Sequence, residues 1–259
     1  MKSTFVTFCS LLATVGNINV LAQTAPGFPI QVSSSSSPLG VTYGSNEVSP
    51  PGELLPRPDT LNPPNISSSA LGSDERGVLL IVDSDVPRNG TRVELLHWLV
   101  SNVTVNSQSN SSGALLIPGP GEAPYWQPSP PVGDVPHAYS FILFSQPDNF
   151  SIPEQFNGVL QTRVFFNVSN FVAATGLSGR ALAGNYIRVQ NLTGSATTTF
   201  PPPRPTNGTN GNNSTGTQTP EPFPGGGSVV VVGGGIGGGL LMWAMIVGSL
   251  IAGIAAVGL

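Results

Sequence analysis

The chain has two histidines, and both stand in segments that read as built structure. His97 lies in Leu95-Leu96-His97-Trp98-Leu99-Val100, an apolar run with the pattern of a buried strand. His137 follows the proline-rich stretch Pro130-Pro131-Val132-Gly133-Asp134-Val135-Pro136 and opens another strand. A third run, Leu79-Leu80-Ile81-Val82, reads as a strand that ends in two acids, Asp83 and Asp85. Two imidazoles can each donate an N–H to a phosphate oxygen, and protonation strengthens that bond. The acids could orient the rings and raise their pKa, or one of them could meet an ammonium group. The same four residues could instead ligate zinc in a hydrolase. Against that stand the lack of a His-x-x-x-His pair and the presence of a single cysteine, Cys9. Nucleophilic hydrolysis fits less well, because Gly176-Leu177-Ser178-Gly179 departs from the Gly-x-Ser-x-Gly elbow. The plain alternative for either histidine alone is a hydrogen-bonded core residue.

These residues need elements to position them. Gly77 to Val82, Glu94 to Val105, Ala138 to Phe144 and Ala183 to Gln190 read as strands. Val168 to Thr175 is the best helix candidate, with Asn167 or Ser169 as cap and Gly176 after it. Prolines 50, 51, 56, 58, 63 and 64 predict an extended segment, since proline blocks helix and ladder donation. The Ser, Asn, Gly and Pro-rich stretch from Asn106 to Pro124 reads as a functional loop or an exposed insertion. Strands dominate and helices are few and late, so the expected fold is all-β dominated, with two packed sheets.

The ordered set Asp83-Ser84-Asp85-Val86-Pro87, His97-Trp98-Leu99-Val100-Ser101-Asn102 and Ser129-Pro130-Pro131 through His137-Ala138-Tyr139 resembles the phosphatidylethanolamine-binding protein family. Arg163-Val164-Phe165-Phe166-Asn167-Val168, Leu177-Ser178-Gly179 and Ala183-Gly184-Asn185-Tyr186 are similar to its C-terminal half. The resemblance spans roughly Ile30 to Gln190 and implies that family's fold of two packed antiparallel sheets with a few short helices. It also implies a small anion site for a phosphate or phospholipid head group, lined by Asp83, Asp85, His97, Pro130, Pro131, His137 and Tyr139. It permits a protein-binding role such as protease inhibition, and points to a binding protein rather than an enzyme. Three positions depart from the family's usual residues: Ser84 for proline, Ser129 for glycine and Ala138 for arginine.

Composition sets the compartment and the partners. Charged residues are 8% of the 259, the net charge is −4, and Lys2 is the sole lysine, so no basic patch exists for nucleic acid or an anionic membrane surface. No cofactor is expected. Gly233-x-Gly235-x-x-Gly238 has the spacing of a dinucleotide fingerprint but lacks the βαβ unit and the following acid. Residues 1–22 read as a signal peptide, with Val20-Leu21-Ala22 as cleavage site. The domain is expected over 23–191, a Thr, Pro, Asn and Gly-rich stalk over 192–227, and a hydrophobic tail over 228–259. Small residues, a polar spacer and a terminal apolar run together predict a glycosylphosphatidylinositol-anchor signal, hence an extracellular, surface-tethered glycoprotein. Sequons at Asn65, Asn89, Asn110, Asn149, Asn167, Asn191, Asn207, Asn212 and Asn213 agree with secretion. A tenth, Asn102, follows a buried-looking run and is expected to be poorly accessible.

Overall fold

A computed structural model of the chain describes residues 23–32, 36–195 and 198–205. The expected signal peptide, most of the stalk and the hydrophobic tail lie outside the described residues. In chain order the strands are β1 (Gly40–Tyr43), β2 (Asn46–Glu47), β3 (Glu53–Pro56), β4 (Asn65–Ser67), β5 (Gly77–Arg88), β6 (Thr91–Val105), β7 (Leu115–Leu116), β8 (His137–Ser145) and β9 (Ala181–Gln190). Two helices, α1 (Asn157–Thr162) and α2 (Val168–Ala174), precede β9. A three-stranded sheet has the order β2-β1-β4, and a six-stranded sheet has the order β3-β9-β8-β5-β6-β7. Within the large sheet β3 runs parallel to β9 and the other pairs are antiparallel.

The large sheet is covered on both faces, which explains its continuous apolar strands. Leu79 and Ile81 of β5, with Phe141 and Leu143 of β8, face the small sheet's Val41, Tyr43 and Ile66. Val78, Leu80 and Val82, with Ile142 and Phe144, pack beneath Phe166, Phe171 and Leu177 of the helical side. Asn167 caps α2, its side chain accepting the Asn170 N–H at 2.8 Å.

Two expectations are corrected. The acids do not end their strand: β5 continues through Ser84, Asp85 and Pro87 to Arg88 before a hairpin turn at Asn89 and Gly90. Both turn residues have positive φ, 49° and 77°, which Asn and Gly tolerate. Acids and proline read as breakers in the sequence, but the pairing of Pro87 with Arg92 and Arg88 with Thr91 carries the ladder past them. The Asn106–Pro124 stretch is largely exposed, as expected, and is tied to the sheets at three points. Ala114 bridges Ser67, Leu115 and Leu116 pair with β6, and Ala123 bridges Leu99. Asn102 is exposed rather than shielded: its backbone turns to φ 57°, and it interrupts the buried run of β6 after Ser101.

Two bulges in the β5–β6 ladder shape the site. Ile81 faces Trp98 while Val82 faces Leu96, so His97 is the extra residue. Asp83 faces Leu95 while Val86 faces Val93, so Ser84 and Asp85 together oppose Glu94. Bulges re-aim side chains locally, and here they fall at the acids and the histidine.

Candidate functional site

Asp83 and Tyr139 are register partners on β5 and β8, and His137 opens β8 two residues earlier. His97 comes across from β6 on its bulge. Its ring meets that of Tyr139 edge-on, with centroids 5.0 Å apart at 84°. Asp83, His97, Pro131, His137 and Tyr139 line one cavity of about 240 Å³, together with Leu95, Trp126, Gln127 and Ser129. Arg88 also borders it. Five of the seven family positions therefore converge. Asp85 and Pro130 do not line this cavity. Asp85 sits at the bulge and faces the opposite way, accepting the Ala138 N–H at 2.8 Å and lying 3.6 Å from Arg204. Pro130 is buried and does not border the cavity, whereas its neighbour Pro131 does.

The two histidines are bonded very differently. His137 Nδ1 donates to Asp83 Oδ2 at 2.9 Å, and its Nε2 donates to Asp134 Oδ2 at 3.0 Å. Carboxylate oxygens only accept, so both nitrogens carry protons and the ring is an imidazolium. Burial pushes the His137 pKa down, but the bonds and charges of Asp83 and Asp134 outweigh it and the net shift is upward. Asp134 in turn is gripped by Arg92 through two bonds of 2.6 and 2.7 Å. Burial would raise the Asp134 carboxyl, yet Arg92 and His137 hold it below its usual range. The four groups carry two positive and two negative charges and are all nearly inaccessible. Arg92 completes its donors on the carbonyls of Asp85, Pro201 and Pro202. Pro201, Pro202 and Arg204, which fall in the expected stalk, thus lie against the site.

His97 is held at one end only. Its Nδ1–H donates to the Trp126 carbonyl at 2.9 Å, and the Trp126 N–H returns a bond to the His97 carbonyl at 2.8 Å. Arg163 fastens this loop, donating to the carbonyls of Pro124 and His97 while its guanidinium lies 4.1 Å over the Trp126 ring. The other ring nitrogen, His97 Nε2, is buried with no hydrogen-bond partner. Burial pushes the His97 pKa down, against a smaller opposing pull from Asp83. The ring is thus neutral near pH 7, with a lone pair at Nε2. Tyr139 Oη is likewise buried and has no bond of usable geometry, even toward the neighbouring Asp83. Burial first, then the Asp83 charge, raises the Tyr139 phenol well above its usual range, so it keeps its proton.

The three departures have separate consequences. Ser129 Oγ accepts from Arg57 Nε at 3.1 Å and lines the cavity. Ser84 Oγ is buried without a partner and does not line it. Ala138 leaves room on the far side, where it borders a second cavity of about 570 Å³ with Asp85 and Arg204. Sequence reasoning missed Arg92, Asp134 as a bonded partner, Trp126 and Arg163. Asp134 had a signal, since Asp134-x-x-His137 puts a carboxylate beside the ring. Arg92 had only the scarcity of cations in the chain, nine in 259 residues. Among the described residues no three His, Cys, Asp or Glu side chains converge as metal ligands.

The family profile described as phosphatidylethanolamine-binding protein matches residues 39–187. "Phomoidride biosynthesis cluster protein N" of Talaromyces stipitatus is 30% identical over 200 residues, covering 70% of this chain and 96% of the relative. The protein of the same name from a fungal species is 34% identical over 149 residues, 53% of this chain and 60% of its own length. Among solved structures, a carboxypeptidase Y inhibitor in complex with its cognate proteinase is similar at 20% identity and a TM-score of 0.47, covering 60% of this chain and 84% of that one. With the profile spanning more than half its residues, the chain belongs to the phosphatidylethanolamine-binding protein family.

Proposed function

We propose that the chain is a small-ligand-binding protein and that the cavity between His97 and Tyr139 takes a phosphate-bearing group. The observation that carries this reading is the pair of buried, unpartnered polar atoms, His97 Nε2 and Tyr139 Oη, on one cavity wall. A buried polar group without a partner costs about 1–3 kcal/mol, and a ligand that satisfies both atoms recovers that cost. Ser129 and Gln127 add polar atoms at the same wall, and Arg88 adds a positive charge. The grip expected from two histidines is revised to one, because His137 has both nitrogens engaged. A hydrolase built on the His and Asp residues finds no support in that arrangement. Calorimetric titration with phosphorylethanolamine tests the reading. Binding by the wild type that is lost in His97→Asn supports it, and absence of binding at every pH tried rejects it.

A second reading is that the ligand is a small biosynthetic metabolite. It is supported by similarity across 96% of the length of a relative named for a biosynthesis cluster. Mass spectrometry of small molecules that copurify with the protein separates the two, since an organic metabolite without phosphorus would favour the second. If neither kind of molecule binds, the protein-binding role is next, with Trp126 and Phe165 exposed at 45% and 59% as its contact candidates. We further propose that the protein acts outside the cell on a lipid anchor, on the strength of the tail composition and the sequons. Release from intact cells by a phosphatidylinositol-specific phospholipase tests that placement, and full retention contradicts it.

A further inference from the structure

We infer that the cavity recognises an oxyacid group that still carries a proton, a singly protonated phosphate monoester above all, rather than a fully ionised phosphate or a phosphodiester head group. The inference rests on the phosphate-site reading above and deepens it. It starts from which atoms are left over. The Trp126 carbonyl can only accept, so His97 Nδ1 must be the protonated nitrogen and Nε2 must be the acceptor. Tyr139 Oη, the other unpartnered atom, offers an O–H. One acceptor and one donor stand on the same wall, in rings that touch at 5.0 Å. The complement is a ligand group with one O–H and one acceptor oxygen. A monoester phosphate supplies both until its last proton leaves, at a pH of about 6. A diester has no O–H to give to Nε2.

The charges around His97 point the same way. From β5 it faces Asp83, from β8 His137 and Tyr139, and from the loop before α2 Arg163. Asp83 lines the cavity and opposes a second negative charge on the ligand. His137 cannot compensate, because both of its protons already point at Asp83 and Asp134. Arg163 bonds the carbonyls of Pro124 and His97 through Nη1 and does not line the cavity, so it gives a dianion no direct contact. Arg88, on the border of the cavity, suits a ligand with one negative charge. Proton transfer to His97 would remove the mismatch, but burial opposes the charged ring.

The test uses the full-length protein and two probes with the same ethanolamine end. Phosphorylethanolamine is the monoester, and glycerophosphorylethanolamine is the diester of a phospholipid head group. Affinities are measured at pH about 5.5 and about 8, on either side of the monoester's last ionisation. The expected result is monoester binding that weakens at least tenfold at the higher pH, with the diester at least tenfold weaker than the monoester at the lower pH. His97→Asn keeps a donor for the Trp126 carbonyl and removes the acceptor from the cavity, so it should bring the monoester down to the diester's level. Should that variant fold poorly, Tyr139→Phe removes the donor instead and should weaken the monoester about tenfold. Imidazole 15N shifts in the monoester complex should show Nε2 of His97 still unprotonated. Diester binding as tight as the monoester's, or a protonated His97 in the complex, overturns the inference while leaving the phosphate site standing. Binding of neither probe at either pH rejects the site itself, and the inference with it.

Discussion

His97 and His137 face one cavity from two strands, yet the structure treats them as opposites. His137 is pinned between two carboxylates and shares Asp134 with Arg92, so its partners outweigh burial and leave an imidazolium with no freedom to turn. His97 has one tether, and burial there produces a neutral ring with an open lone pair. Burial alone therefore does not set the state of a buried histidine. The partners that its backbone position brings within reach decide the sign. The division also separates structural work from ligand work: the closed quartet ties β5, β6 and the start of β8 to the Pro201–Pro202 segment, and the open side faces the cavity.

Substitutions should break this contrast unequally. The largest effect is expected for Asp134→Ala, which leaves Arg92 and His137 as buried charges without their shared partner. A loss of about 3–5 kcal/mol in denaturant unfolding is expected. Next comes one substitution made at each histidine. His137→Asn removes a charged bond to a buried carboxylate and should lower stability by about 1.5–3 kcal/mol. His97→Asn keeps its bond to Trp126 and removes an orphaned acceptor, so it should change stability by about 1 kcal/mol or less. Equal losses at the two positions would mean that the two rings are not in different states. Smallest of all, Ser129→Gly touches an exposed side chain and should stay within about 0.5 kcal/mol by the same unfolding measurement.

The pH dependence of stability extends the contrast. The folded pKa of His137 lies above its unfolded value, so its contribution is whole below the ordinary histidine range and is lost as pH rises through the raised value. Asp134 has a folded pKa below its unfolded value, so its contribution is present above the ordinary carboxylate range and is lost as pH falls through the depressed value. His97 acts in the opposite direction to His137, because its folded pKa is lowered and acid must charge a buried ring. Thermal unfolding of wild type should therefore weaken on the alkaline side of the histidine range, and His137→Asn should flatten that limb. An unchanged alkaline limb in the variant would remove His137 as its cause.

Much of this arrangement is legible in the chain, for reasons that differ by residue. Val78 to Val82 and Phe141 to Phe144 announce their strands because both faces are buried and every position must be apolar. Asn167 and Gly176 bracket their helix through ordinary end chemistry. The short strands β1, β2 and β4 have no such pattern: they are two to four residues long, β2 has no apolar residue, and β1 and β4 bury only alternate positions. The bulges at His97 and at Ser84–Asp85 are set by cross-strand register, which is a tertiary property, and so the opposite facing of Asp83 and Asp85 was not visible. Arg92 reaches Asp134 across 42 positions of sequence, and Arg163 reaches the Pro124 carbonyl across 39. No local spacing encodes such pairings.

The chain's two histidines make the central claim directly measurable, because a 15N-histidine-labelled sample contains two imidazoles and no others. One ring should lose its second proton only above the ordinary histidine range, and the other should become neutral below it, with the proton on Nδ1 and Nε2 bare. Substituting His137 by Asn should remove the doubly protonated ring and leave the neutral one. Two rings that titrate together near pH about 6.5, as free histidines do, would contradict the account.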